Sequence, residues 1–435
     1  MPDNHLEPCE ATEENFLFSL AEELFPINRS LTGEGVRDTL DIVKRELPGL
    51  VIHSVPSRSR AFDWTVPDEW NVGEAYIIDP SGKRIADFAE NNLHLVGYSI
   101  PIECELSREK LLPHLFSRED MPEVIPYVTS YYEPNWGFCI THSQKQALPE
   151  GTYKVRISSS LEPGYLNYGE LVIPGENLDQ EILITSYICH PSMANNELSG
   201  PVVLIGLAKW LTERKGRLKN TFRFVLAPET IGALVYLQEN LEHLKAVTKA
   251  GFVVTCVGDE RAYSYLSSPY GDNLSDQVLT HVLTHFDPDY KRFTFLERGS
   301  DERQYCAPGI DLPMCGFSRS KYGEYPEYHT SADNLSIISG RGLRQSVDVL
   351  RECVLVLEKN RILKTRVLGE PQLGRRGLYS NLVQRQTRHL GRQIADVLAY
   401  SDGQNTTLDL ANRFNMPFRQ VDEIIEIAIA HELIE

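Results

Sequence analysis

The sequence predicts an α/β fold: a mainly parallel sheet flanked by helices, with a mainly-β domain before it and a small helical module after it. Three observations carry this. From residue 181, short apolar strands alternate with amphipathic helices, the pattern of a parallel sheet covered on both faces. Between about 50 and 175, alternating β-branched and aromatic segments broken by Pro, Gly and Asp turns replace that rhythm. Beyond GEPQLGRRG (369–377), a linker by composition, three short helical stretches share a small apolar set.

Taken in order, residues 12–25 place Phe16, Leu17, Leu20 and Leu24 on one helical face, and 32–47 do the same with Val36, Leu40, Val43 and Leu47. The turn-rich PINRSLTGEG joins them. "GEAYIIDP", "HLVGYSIPI", "VIPYVTSYY", "WGFCIT", "GTYKVRISSS" and "GELVIPGE" read as strands. Strand 181–187 then precedes helix 199–213, strand 222–228 precedes helix 231–242, strand 251–256 precedes helix 274–286, and strand 311–317 precedes helix 337–359. The last helices fall at 391–400, 406–414 and 417–430, around Ile394, Leu398, Leu408, Leu410, Ile424, Ile425 and Ile427; NTTLDLANRFNMPFRQVDEII has the spacing of a helix-turn-helix.

Composition narrows the function. The chain has 435 residues, 42% hydrophobic and 24% charged, which is ordinary for a soluble globular protein. Lys+Arg 43 against Asp+Glu 61 gives −18, which disfavours nucleic acid and anionic membrane as partners. Residues 381–435 carry five basic and eight acidic side chains, net −3, so the helix-turn-helix reads as a protein–protein or oligomerisation element, and a homo-oligomer is expected. No run of roughly 18 apolar residues would span a membrane, and MPDNHLEPCEATEEN lacks a signal-peptide pattern. Eight dispersed cysteines without a C-x-x-C pair point to free thiols in a reducing cytoplasm.

Four segments fall at strand ends of the α/β part: His190 with Asn195, Asn196 and Glu197; Glu229 in APETIG; Asp301 and Glu302 in RGSDERQYC; and His329 in EYHTSADNL. Active sites of such sheets lie at the carboxyl ends of strands. Each residue taken singly has a plain structural role as cap, turn or buried hydrogen-bonded group. Together they form a set suited to zinc, since neutral imidazole and carboxylate are its usual ligands and a nearby carboxylate is the usual base.

Through "CHPSMANNELSG", "APETIGA", "VVTCVGD", "GSDERQYCAPGIDLP" and "YHTSADNL", residues 181–360 resemble the M28-type zinc aminopeptidases. "LFPINRSLTGEGVRDTLDIV", "FDWTVPDEWNVGEAYI" and "YYEPNWGFCITHSQ" extend the resemblance to a bacterial aminopeptidase-like group. The resemblance implies an aminopeptidase-like domain (1–50 and 176–365), an inserted mainly-β domain (51–175) and a winged-helix domain (378–435). It makes His190 and His329 zinc ligands and Glu229 the general base. This chain departs from the family pattern at Asn196, where a bridging aspartate is expected, at Thr230 and Cys256, where acidic ligands are expected, and at Ser192. That implies one zinc per chain, held by His190 and His329 with a third ligand from Asn196, Glu197, Cys256 or Asp301.

The expected function is zinc-dependent hydrolysis of an N-terminal peptide or small amide bond, with Glu229 and Asp301 as catalytic residues. Asp301 or Glu302 would hold a free α-amino group. The β insertion would cover the pocket, with Arg29, Trp64, Tyr131, Tyr132 and Trp136 as lining candidates. A metal-free binding protein and a one-zinc cyclising enzyme are the alternatives.

Overall fold

A computed structural model of the chain describes residues 10–378 and 385–435. It divides into two compact units, Met1–Asp276 with Lys291–Asp348, and Gln277–Tyr290 with Val349–Glu435. The first unit is built on an eight-stranded sheet. Its order is Val51–Pro56, Tyr165–Ile173, Asn220–Ala227, Asn177–Tyr187, Thr248–Val254, Met314–Ser318, Ser264–Leu266, Lys291–Phe293. The four strands from Asn220–Ala227 to Met314–Ser318 run parallel, and antiparallel pairings join them to both flanks. Every residue of Asn220–Ala227 is buried, as covering both faces with helices requires. Helix Ser199–Thr212 is buried along nearly its whole length, which is why it reads as continuously apolar in sequence.

The large sheet takes strands from both ends of the span 51–175 that the sequence assigns to the inserted domain. Val51–Pro56 pairs with Tyr165–Ile173, and the latter pairs with Asn220–Ala227. What lies between is a four-stranded sheet of Arg84–Ile85, Glu69–Ile78, Thr152–Glu162 and Ile102–Ser107, plus two small two-stranded ladders. Tyr153, Val155 and Ile157 alternate into its core, and Trp70 stacks on Tyr98 at 5.6 Å. The strand expected at 311–317 runs instead over Met314–Ser318, because Asp311 takes a left-handed φ of 53° and turns the chain.

In the second unit, helices Arg385–Ala399, Thr407–Phe414 and Phe418–Ala430 sit close to the spans expected from sequence. Ile394, Leu398, Leu408, Leu410, Ile424 and Ile425 are buried as expected, and Ile427 is half-buried. Asn415, at φ 49°, makes the turn between the last two helices. Ile362–Lys364 pairs with Asp402–Thr406 in a small two-stranded ladder that no periodicity announced. The expected start of this module at 378 runs straight into residues 379–384, which lie outside the described residues, as do the N-terminal residues 1–9.

One buried ion cluster ties three strands of the large sheet. Arg223 donates from Nε and Nη2 to Glu181 at 2.6 and 2.9 Å, and from Nη1 to Glu170 at 2.6 Å. Removing one partner strands a buried charge, a loss of about 3–5 kcal/mol. Arg223→Ala should therefore lower stability by about that amount in urea denaturation, whereas a cost under about 1 kcal/mol would mean that the cluster behaves as a surface pair.

Candidate active site

The site begins where strand Asn177–Tyr187 ends. Ile188 continues the ladder by donating to Ala227, and Cys189 and His190 follow at the sheet's carboxyl edge. The next turn, Ala194–Leu198, is π-type, with Ser199 N–H reaching Ala194 O. That wide turn swings Glu197 back beneath His190. His190 Nδ1 donates to Glu197 Oε2 at 2.8 Å, which leaves Nε2 facing forward. Arg29 lies behind this pair: its Nε donates to His190 O at 3.0 Å and sits 3.6 Å from Glu197 Oε1. Burial lowers the His190 pKa, but the Glu197 bond and the charges of Glu197 and Glu229 outweigh it, and the net direction is up. Gly200 explains the close helix start, since a Cβ there would lie 2.1 Å from Ser186 Oγ and 2.6 Å from Val254 O.

Strand Asn220–Ala227 delivers Glu229. Its Oε2 lies 3.7 Å from His190 Nε2, and its N–H donates to Cys189 Sγ at 3.1 Å. Burial raises the Glu229 carboxyl pKa above its ordinary value, against the pull of His190 and Arg303. Thr230 is held at φ 64°, costly for a β-branched residue, by two bonds. Its N–H donates to Asp301 Oδ1 at 2.7 Å, and its Oγ1 accepts from Arg303 Nη2 at 2.6 Å. Burial and the neighbouring Glu229 push the Asp301 pKa well up.

His329 approaches from the opposite loop, also with a left-handed φ of 55°. Its ring stacks on Tyr328 at 3.9 Å and meets the Tyr127 ring edge-on at 5.1 Å. The His190 and His329 ring centres are 5.4 Å apart. Two imidazoles on one tetrahedral ion, with nitrogens roughly 2.0–2.1 Å from it, would place their centres about 5 Å apart. His329 Nε2 is buried without a hydrogen-bond partner, and burial lowers the ring's pKa to about 3, so it is neutral and has a free lone pair. Asn196 Oδ1 is likewise unpartnered, while its Nδ2 donates to Tyr187 OH at 2.6 Å. Cys189, His190 and Glu229 bring ligand-type atoms within 4.8 Å of one another.

A cavity of about 260 Å³ opens onto this edge, lined by Leu31, Trp64, Tyr131, Tyr132, Cys189, His190, Glu229, Thr230, Ile231, Arg303 and Gln304. Tyr131 is therefore where the sequence reading put it, with Trp64 and Tyr132. Other expected residues are placed differently. Arg29 is off the wall, buried behind His190, where its Nε binds His190 O beside Glu197 and its Nη1 binds Leu24 O, while Nη2 is buried without a partner. Trp136 is also off the wall and stacks on His114 at 3.7 Å. Glu302 accepts from Gly299 N, Ser300 N and Tyr322 OH, which fixes a turn and leaves it buried. Asp301 is buried behind Glu229, holding Thr230. Glu197 supports His190 through Nδ1. Cys256 is buried with a thiol pushed up to about 12, its Sγ 3.8 Å from Asn196 Nδ2. Cys189, Arg303 and Asp333 lie within the motifs CHPSMANNELSG, GSDERQYCAPGIDLP and YHTSADNL, but the sequence assigns none of them a role.

The described geometry can be set beside known proteins. Residues 18–360 match a family described as a domain of unknown function, DUF4910. The chain belongs to the DUF4910 family. Residues 360–435 of this DUF4910 protein match a winged helix-turn-helix family. A Clostridium acetobutylicum relative, provisionally named a polysaccharide biosynthesis protein with an aminopeptidase-like domain, is 42% identical over 422 residues, 96% of either chain. A crystal structure of a C. acetobutylicum protein provisionally named a peptidase is 41% identical, covers 98% of this chain and 97% of its own, and superposes with a TM-score of 0.91. A zinc aminopeptidase from Bacillus subtilis shares the fold at 13% identity, over 81% of this chain and 96% of its own, with a TM-score of 0.58. The aminopeptidase-like α/β fold and the C-terminal winged helix are thus those the sequence resemblance implied.

Asp333 holds the π-type turn in place. It accepts from Asn195 N at 2.6 Å, Asn196 N at 3.0 Å and Tyr325 OH at 2.8 Å. Asp333→Ala should cost about 3 kcal/mol in urea denaturation, because it strands three buried donors. A loss below about 0.5 kcal/mol would show that the turn holds itself.

Proposed function

We propose that this DUF4910 protein is a zinc-dependent hydrolase of a small amide, N-terminal peptide bonds included, with Glu229 as general base. The observation that carries the reading is the pair of imidazoles with ring centres 5.4 Å apart, His190 with Nε2 3.7 Å from the Glu229 carboxylate and His329 with a buried, unpartnered Nε2. These donors suit zinc, which His190 and His329 would hold, with Asn196 Oδ1, buried and unpartnered, as a candidate oxygen donor and Glu229 left as the base. Position 196 offers an amide oxygen, a poor bridge between two ions. When bound, the ion supplies Lewis-acid polarisation of the substrate carbonyl and eases deprotonation of water.

This chain's own groups do the rest. Glu229 takes a proton from water as the C–O bond forms at the carbonyl carbon, then gives it to the amide nitrogen as the C–N bond breaks, releasing a carboxylic acid and an amine. Glu197 fixes the tautomer of His190 through Nδ1. Asp301 and Arg303 hold Thr230, and with it the position of Glu229. At about 260 Å³ the cavity is smaller than the roughly 300–1,000 Å³ of most ligand sites, which suits a compact substrate better than a folded protein. Seven described cysteines are free, in keeping with the proposed cytoplasmic setting. Among the described residues no helix is long and apolar enough to cross a membrane. Arg419 of the last helix is engaged by Glu352, which leaves it less available to a phosphate.

Full-length protein purified without chelator should hold about one zinc per chain by elemental analysis, and a His190→Ala, His329→Ala double variant should hold none. Glu229→Gln should keep the metal while kcat on a responsive amide falls by about 10²–10⁴. Absence of zinc uptake would instead favour a binding protein on this fold, and a cyclised product would favour acyl transfer.

A further inference from the structure

The cavity wall carries one residue of each charge, Glu229 and Arg303. Glu229 sits at the reacting end, against His190. The acids expected to bind a substrate ammonium group are committed elsewhere: Asp301 to Thr230 N–H, and Glu302 to Gly299, Ser300 and Tyr322. No spare carboxylate therefore faces the cavity. Arg303 is in the opposite state. Its Nη2 donates to the neutral Thr230 Oγ1 at 2.6 Å, its Nε is buried with no partner, and no carboxylate forms an ion pair with it among the described residues. A guanidinium on a cavity wall without a carboxylate partner is a site for an anion such as a carboxylate. The rest of the wall, Leu31, Trp64, Tyr131, Tyr132 and Ile231, offers apolar and aromatic surface. Trp64 and Tyr132 meet edge-on at 5.8 Å.

We propose that Arg303 selects substrates bearing a carboxylate next to a compact apolar group, so that the enzyme acts on N-acyl amino acids or similar acidic amides and not on peptides with a free amino terminus. This rests on the amide-hydrolase reading above and narrows its substrate class. Gln304, beside Arg303 on the wall, is placed to give a second, neutral hydrogen bond to such a group.

The test is calorimetric binding to the full-length protein, which needs no turnover. The probes are N-acetyl-L-phenylalanine, its neutral primary amide, cationic L-phenylalaninamide and phenyl phosphate. The acid should bind at least about tenfold tighter than the neutral amide, with the cation weakest, since a charge-assisted pair is at stake. Arg303→Gln should erase that preference while still binding the neutral amide as tightly, and Arg303→Lys should keep part of it. Equal binding of the first three probes, preference for the cation, no binding of the acid at millimolar concentration, or a preference that survives Arg303→Gln would overturn the proposal. Tighter binding of phenyl phosphate than of the acid would overturn the carboxylate assignment. Amine release is measured separately. An acid preference without any hydrolysis would defeat the hydrolase reading alone, and hydrolysis without an acid preference would defeat this one alone.

Discussion

The bond from His190 Nδ1 to Glu197 is the constraint on which the rest of the site depends. It fixes the ring's orientation and leaves only Nε2 available in front. Glu197 is a buried anion, so it needs a counter-charge, and Arg29 supplies it from the turn between the first two helices. Arg29 also binds the carbonyls of His190 and Leu24. The N-terminal segment is thereby tied to the strand end that carries His190. A residue that resembles a substrate clamp in sequence is in fact part of the support behind the site.

The same economy shows on the other side of the cavity. Asp301 and Arg303 both spend a bond on Thr230, whose left-handed backbone aims Glu229 at His190. Asp333 does the equivalent for the turn bearing Asn196 and Glu197. Among the places with strained or irregular backbone are Thr230, His329 and the π-type turn, and each of these three carries or adjoins a residue with a proposed chemical role. The inserted β segment brings Trp64, Tyr131 and Tyr132 to the open side of the cavity, and Tyr131 is braced by Tyr98 and Tyr127.

Much of this was legible in the sequence because it follows from periodicity. The strands ending at His190 and Glu229 are apolar runs bounded by helices, and their spans hold to within a few residues. His190, Glu229 and His329 were legible as motifs at strand ends and loops. The positions that misled are those where a charged residue has two possible partners. Arg29, Asp301 and Glu302 carry the chemistry to touch a substrate, and only the three-dimensional contacts show that their bonds are already used. Arg303 is the converse case, since nothing local in a sequence marks an arginine as lacking a carboxylate partner. The strands Ser264–Leu266 and Lys291–Phe293, three residues each, are too short for any period to register.

The central claim is a single-ion site formed by His190 and His329 with Glu229 alongside. X-ray absorption at the zinc edge of the full-length, zinc-loaded protein tests it most directly. The account predicts two imidazole nitrogens with oxygen completing a tetrahedral shell and no metal neighbour. A metal–metal vector at about 3.5–4 Å would contradict it, as would a shell dominated by sulfur at about 2.3 Å, which would assign the ion to Cys189 or Cys256 instead.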